Sequence, residues 1–287
     1  MKKGKPNNRF FGRALRNPSF SIGLILLLIV GLCALLADVI SPAGYDAINI
    51  EHRLMQPSFT DPESPYLLGA DQFGRDLFAR VVHGSRIALT VGLVAIAIKT
   101  IIGVTLGLVS GYFGGKLDSC IMFVTDLTWA IPPMVLALAI VTAIGPGLMN
   151  VVISIAIISW AQFARIVRSK TQSIKNMPFV EAARAIGESN VSIIMRYILP
   201  NVFSPILVVA TLALPSAILS TSALSFMGLG AQQPLPDWGR MLSDGIAFMR
   251  QSPLLAIAPG VALVITVLGF NLLGEGLREL LDPKLKL

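Results

Sequence analysis

His52 and His83 are the only histidines in this 287-residue chain, and Cys33 and Cys120 the only cysteines. A metal centre draws several such ligands together at short, regular spacing. Here the histidines are far apart in sequence and no cysteine lies near either. They read as solvated loop side chains, and the cysteines, in or at the edge of apolar segments, as small packing residues. There is no CxxC and no disulfide framework. Serine-protease chemistry inside a bilayer would want Ser and His on facing spans, but both histidines fall in one polar loop. A phosphate-binding GxxxxGK[ST] loop is absent, and the glycine-rich stretch 103–115 lacks the Lys-Ser/Thr pair that holds phosphate and magnesium. These counts argue against an enzyme.

Residues 171–201, TQSIKNMPFVEAARAIGESNVSIIMRYILPN, carry a different kind of signal. Pro178 suits the first turn of a helix, where its missing N–H costs nothing. FVEAARAI is a good helix former. Gly187 stands where a helix end needs a left-handed residue, and Ser189 or Asn190 can cap a second helix over about 190–198 that Pro200 stops. Ala182, Ala183 and Ala185 keep the first helix thin. Such a helix can enter a groove on another protein while Glu181 and Arg184 offer polar contacts. The same residues are equally compatible with a plain loop packed on its own bundle.

What must position this segment follows from composition. Hydrophobic residues make up 54% of the chain and charged residues 14%, against about 25% charged in soluble domains, and mean hydropathy is +0.73. Apolar residues come in blocks long enough to cross a bilayer, which takes about 20 residues each. The blocks predict spans at about 21–37, 87–110, 120–144, 148–163, 202–221 and 254–273. Continuous rather than alternating apolarity excludes a β-barrel. The first block is longer than the usual signal-peptide core of about 7–15 residues and no small-x-small site follows it, so it is read as uncleaved.

Residues 41–86 form a polar loop with Pro42, Pro57, Pro62 and Pro65, ending in a stretch, 68–86, that predicts a short amphipathic helix at the membrane surface. Residues 225–253 predict a mixed loop with short helical pieces. Gly103, Gly107 and Gly111 lie on one helix face and predict close helix packing. Pro132–Pro133, Pro205 and Pro215 predict kinks in spans three and five. Asp38 is placed at the interface. Asp126 is expected to pair with a cation near the cytoplasmic boundary. Lys99, within span two, is either functional or turned into the bundle to pair or snorkel.

Charge orients the spans. With a cytoplasmic N-terminus, 16 of the 23 Lys and Arg fall in inner segments and 6 in outer ones, Lys99 being the remaining one, as the positive-inside rule requires. The formal charge of +7 is thereby explained without nucleic acid, for no basic stripe interleaves with aromatics. Residues 1–19 then form a cytoplasmic arm, 20–86 the first span plus an extracytoplasmic loop, and 87–287 a core domain whose loop 164–200 is cytoplasmic.

EAA at 181–183, Gly187 and ILP at 198–200 resemble the loop that bacterial ABC-importer permeases present to their ATPases. LGADQFGRD (68–76), GYFGGKLD (111–118), ALSFMGLGAQQPLPDWGRML (223–242) and NLLGEGLRELLDPKLK (271–286) are similar to the dipeptide/oligopeptide/nickel permease family, C type. The resemblance covers about residues 10–286. It implies an all-α integral membrane protein of six transmembrane helices with both termini cytoplasmic, the transmembrane domain of a type I ABC importer in the bacterial cytoplasmic membrane.

The resemblance further implies that Phe179, Val180, Glu181, Ala182, Ala183, Arg184, Ala185, Ile186 and Gly187 seat on an ATPase. Two ATPase subunits would hold ATP and magnesium, this chain binding no cofactor. A homologous B-type permease and an extracytoplasmic solute-binding protein would complete the importer. The solute would be a peptide or a related small molecule, with nickel or a metal chelate as the alternative within the family. A stand-alone secondary transporter is the reading from another class, but neither an internal repeat nor paired intramembrane acids support it.

Overall fold

A computed structural model describes residues 14–281, and every regular element among them is helical. Five helices are long and apolar enough to cross a membrane, and a sixth crossing is made by a bent pair. With two short helices, α6 and α8, that do not span, the helices of eight or more residues are, in chain order, α1 (Pro18–Leu35), α2 (Leu77–Phe113), α3 (Gly115–Ala130), α4 (Pro133–Ile144), α5 (Leu148–Ile174), α6 (Pro178–Ala185), α7 (Asn190–Phe226), α8 (Trp238–Ile246) and α9 (Leu254–Leu281). Most of the basic arm, through Arg13, lies outside the described residues.

The helix α2 runs 37 residues, about 55 Å at 1.5 Å per residue. The expected surface helix at 68–86 is therefore corrected: 68–76 is turns, and 77–86 is the outer end of α2. Asp76 starts it by accepting from the Phe78 N–H at 2.8 Å, and no residue between 77 and 113 forces a break. The correction carries His83 with it. Rather than a solvated loop residue, His83 is 6% exposed, its ring centre 5.1 Å from that of Tyr45 and tilted by 55°. His52 accepts or donates at Nδ1 to Tyr66 Oη, 2.9 Å away.

The glycine stripe of α2 faces α5. A methyl group on Gly103 would meet the Trp160 carbonyl at 2.6 Å, on Gly107 the Ala164 carbonyl at 2.7 Å, and on Gly111 the Arg168 carbonyl at 2.7 Å. Backbone cannot yield as a side chain can, so Gly107→Ala must separate the two helices. We expect this substitution to cost about 1–3 kcal/mol, read as a lowered thermal midpoint of the purified protein. Gly31→Ala, where a methyl meets nothing within 4 Å, is the matched control. Equal midpoints for the two would refute the packing argument.

Span three is broken more sharply than a kink: α3 and α4 meet at 90°. Pro132 and Pro133 supply no N–H and Ile131 is extended, so no helical bonds cross the junction. Span five is not broken in this way. Pro200 does not stop the helix, and neither Pro205 nor Pro215 ends it. Residues Ile194–Ile198 form a π-helical turn just ahead of Pro200. That wider turn accommodates a ring that would clash with a normal i−4 carbonyl, while Ile193, Ile198 and Val202 share one core across it.

Charged residues in and beside the spans find partners. Asp126 pairs with Arg165, as expected, and Arg165 lies 4.7 Å over the Trp129 ring. Arg86 bridges the end of α1, donating to the Ala34 and Leu35 carbonyls and pairing with Asp38 at 2.8 Å. Lys99 is 3% exposed and turned into the bundle. Its Nζ donates to the Ala213 carbonyl at 3.4 Å and stands 5.8 Å from the Phe163 ring centre. No carboxylate pairs with it among the described residues.

On the outer side, loops 41–76 and 227–253 are tied by a buried network. Asp71 accepts from the Phe73 and Arg75 N–H groups at 2.8 and 3.0 Å. Arg75 pairs with it at 2.7 Å and Arg80 at 3.5 Å. Arg75 donates to Gln233 Oε1 at 2.6 Å, and Arg80 to the Tyr45 and Pro234 carbonyls at 3.1 Å each. Gln233 in turn donates to Asp244 at 2.9 Å.

Candidate coupling site

The inner loop between α5 and α7 folds as its residues dictate. Pro178 takes the first position of α6. Gly187 ends the turn at φ +86°. Its N–H donates to the Arg184 carbonyl at 3.1 Å, and the Glu188 N–H to the Ala183 carbonyl at 3.1 Å. These two bonds are the pair that closes a helix through a left-handed glycine. Ser189 Oγ then accepts from the Ser192 N–H at 3.3 Å and caps α7. The Glu188 carboxylate accepts from the Ser192 hydroxyl and from the Tyr197 hydroxyl, the latter at 2.9 Å. These bonds, Ser192 first, hold its carboxyl below the usual carboxylate range.

Of the nine residues Phe179–Gly187, two point inward. Val180 and Ala183 are 0% and 3% exposed, packed with Leu108, Tyr112, Val167, Ile174, Ile193 and Ile198. They bolt the helix to the bundle. The remaining seven are open to a visitor: Ile186 is 77% exposed, Phe179 40%, and Glu181, Ala182, Arg184, Ala185 and Gly187 are all exposed. The Arg184 guanidinium stands 6.0 Å from the Tyr112 ring. Glu181 joins no ion pair among the described residues. The Tyr112 hydroxyl donates to Asn190 Oδ1 at 2.7 Å, fixing the start of α7 to the inner end of α2. The result is a short rigid helix, apolar and charged on its free face, locked at both ends to long spanning helices.

No set of three or more His, Cys, Asp or Glu converges as metal ligands among the described residues. The glycine-rich stretch 103–115 is mostly helix interior packed on α5 rather than a phosphate loop. The sequence reading missed the outer Asp71–Arg75–Arg80 network. Its one local trace is an acid and a base four positions apart in LGADQFGRD.

Comparison with known proteins places this architecture. Residues 103–287 match the family described as binding-protein-dependent transport system inner membrane component. Residues 6–57 match the N-terminal transmembrane domain of oligopeptide transport permease C. The chain is 42% identical to the dipeptide transport system permease protein DppC of Alkalihalophilus pseudofirmus, over 98% of this chain and 91% of that one. It is 41% identical to the glutathione transport system permease protein GsiD of Pectobacterium atrosepticum, over 98% and 92%. An inward-facing structure of the MetNI methionine ABC transporter shares the fold, with a TM-score of 0.56 and 19% identity over 70% of this chain and 96% of that one. The chain therefore belongs to the family of binding-protein-dependent transport system inner membrane components, and is a multi-pass permease subunit of an ABC importer.

Proposed function

We propose that this chain is the C-type half of a peptide importer, driven through the free face of α6. The observation that carries the coupling role is the two-sided helix. Val180 and Ala183 fasten it to the bundle, while Phe179, Glu181, Arg184 and Ile186 are exposed on its other face. Movement imposed on that face is transmitted directly, because α6 is clamped to the inner ends of α2, α5 and α7. ATP and magnesium belong to two ATPase subunits in this reading, and a homologous B-type permease completes the passage. A solute-binding protein delivers from the side of loops 41–76 and 227–253. Peptide as solute is supported by full-length similarity to permeases named for dipeptides and for glutathione.

Affinity purification of the tagged chain from its native membranes is expected to recover a second permease and ATPase subunits. In proteoliposomes with binding protein on the outward side, that complex should accumulate labelled dipeptide only when ATP is supplied. A chain that purifies alone and transports without ATP would end the proposal. Accumulation of nickel but no peptide would replace the solute and keep the machinery.

A further inference from the structure

The 90° junction of α3 and α4 leaves a row of backbone groups without partners. Among the described residues, no backbone or side-chain donor reaches the carbonyls of residues 128–131. The side chains around them, Leu127, Trp129 and Ile131, are 58%, 48% and 40% exposed. Inside a bilayer, irregular backbone is tolerated only where protein buries it or where it lines a watery cavity. The backbone of a neighbouring helix cannot supply the missing donors, because its N–H groups are already spent on its own carbonyls, which leaves side-chain hydroxyls and amides as the protein's own donors. Water, or a solute with free N–H groups, can also supply them.

The element beside the junction points the same way. On α5, Ser159, Gln162, Arg165 and Ser169 recur at steps of three and four and so share one face. Gln162 and Ser169 are exposed, and Ser159 and Arg165 half-buried. Arg165 reaches back to Asp126, one turn before the junction. Ser159 and Gln162 lie within the span and Arg165 and Ser169 at its inner end, so this polar face runs from the bend to the inner side. At the bend a small open cleft lies between α4, α5 and α7, lined by Pro133, Met134, Ile155, Ile158, Ser159 and Ser220. Two hydroxyls there sit among otherwise apolar walls.

We propose that the α3–α4 junction, the polar face of α5 and Ser220 line the path of the solute, and that the free carbonyls of residues 128–131 and the two serines hydrogen-bond its N–H groups. The junction would bind backbone amides and ammonium groups without reading side chains, while the apolar cleft walls take side chains of varied shape. The identity of those N–H groups as peptide rests on the proposed function above; the location of the path does not.

The test uses the assembled transporter in inverted membrane vesicles, with Cys33 and Cys120 replaced by Ala. Ser159→Cys and Ser220→Cys should each react with a membrane-impermeant cationic methanethiosulfonate reagent. Ile157→Cys, on the apolar side of α5, should not. Free dipeptide at about ten times its Kd leaves roughly a tenth of sites open, so labelling should slow about tenfold. If neither serine position reacts, in the resting complex or with ATP and vanadate trapped, lipid or a partner covers this face and the inference is wrong. If both react and a non-peptide solute protects them while dipeptide does not, the path stands and the peptide reading falls.

Discussion

Gly187→Pro is expected to leave the chain in the membrane and to remove coupled uptake. The backbone at this position has φ +86°, whereas proline is held near −65°. Proline also deletes the N–H that closes α6 on the Arg184 carbonyl. The last turn of α6 then opens, and Glu181 and Arg184 lose their fixed direction. Gly187→Ala is a milder case. A methyl there meets nothing within 4 Å, so the cost is the left-handed conformation alone, about 1–2 kcal/mol. Glu181→Lys separates docking from folding, because Glu181 is exposed and pairs with nothing in its own chain among the described residues. Both Gly187→Pro and Glu181→Lys should lower ATP-driven uptake about tenfold or more, a loss of about 1.4 kcal/mol in coupling being sufficient. Immunoblots should show normal membrane levels, and pull-downs should show weaker retention of the ATPase. Wild-type uptake with wild-type subunit stoichiometry in both variants would remove α6 from the coupling role.

Asp71→Asn is expected to be the most destabilising single change in the outer loops. Asp71 is 4% exposed, and among the described residues it is the one acid that both Arg75 and Arg80, 3% and 2% exposed, pair with. Removing it leaves two buried guanidiniums with no directly paired carboxylate and only the more distant Asp244 acting on Arg80, which costs about 3–5 kcal/mol. The loops it joins lie on opposite sides of the sequence, so the damage should appear as loss of contact between residues 41–76 and 227–253. Limited proteolysis from the outer face, with the thermal midpoint of the solubilised protein, reads both. Asp38→Asn is the contrast: its pair with Arg86 is largely solvent-exposed, and such pairs contribute about 0–1 kcal/mol. A triple variant replacing Asp71, Arg75 and Arg80 with apolar residues should lose less than Asp71→Asn alone. If Asp71→Asn and Asp38→Asn behave alike, the buried network does not hold the outer loops.

The local rules of the inner loop were legible in the residues. Proline at the first turn, glycine past the last, and serine as cap are requirements of single φ angles and single N–H groups, and each stands where expected. The apolar blocks, the glycine stripe and the placing of basic residues were legible for the same reason: each depends on neighbours along the chain or on the bilayer itself. The one local rule that failed, Pro200 as a stop, failed because Ile193, Ile198 and Val202 pack into one core across the proline and a π turn absorbs its ring.

The division between what the chain alone determined and what tertiary structure decided runs along partner distance. The apolar blocks and the outline of a Gly-terminated short helix were written in the sequence, because hydropathy and backbone stereochemistry act locally. Only tertiary structure decided that Val180 and Ala183 turn inward while Ala182 and Ala185 turn out, since all four are small or apolar and hydropathy does not separate them. It alone buried His83 against Tyr45, turned Lys99 to the Ala213 carbonyl, and joined Arg75 to Gln233. In each case burial is set by groups brought from elsewhere in the chain, and a residue's own type carries no record of them.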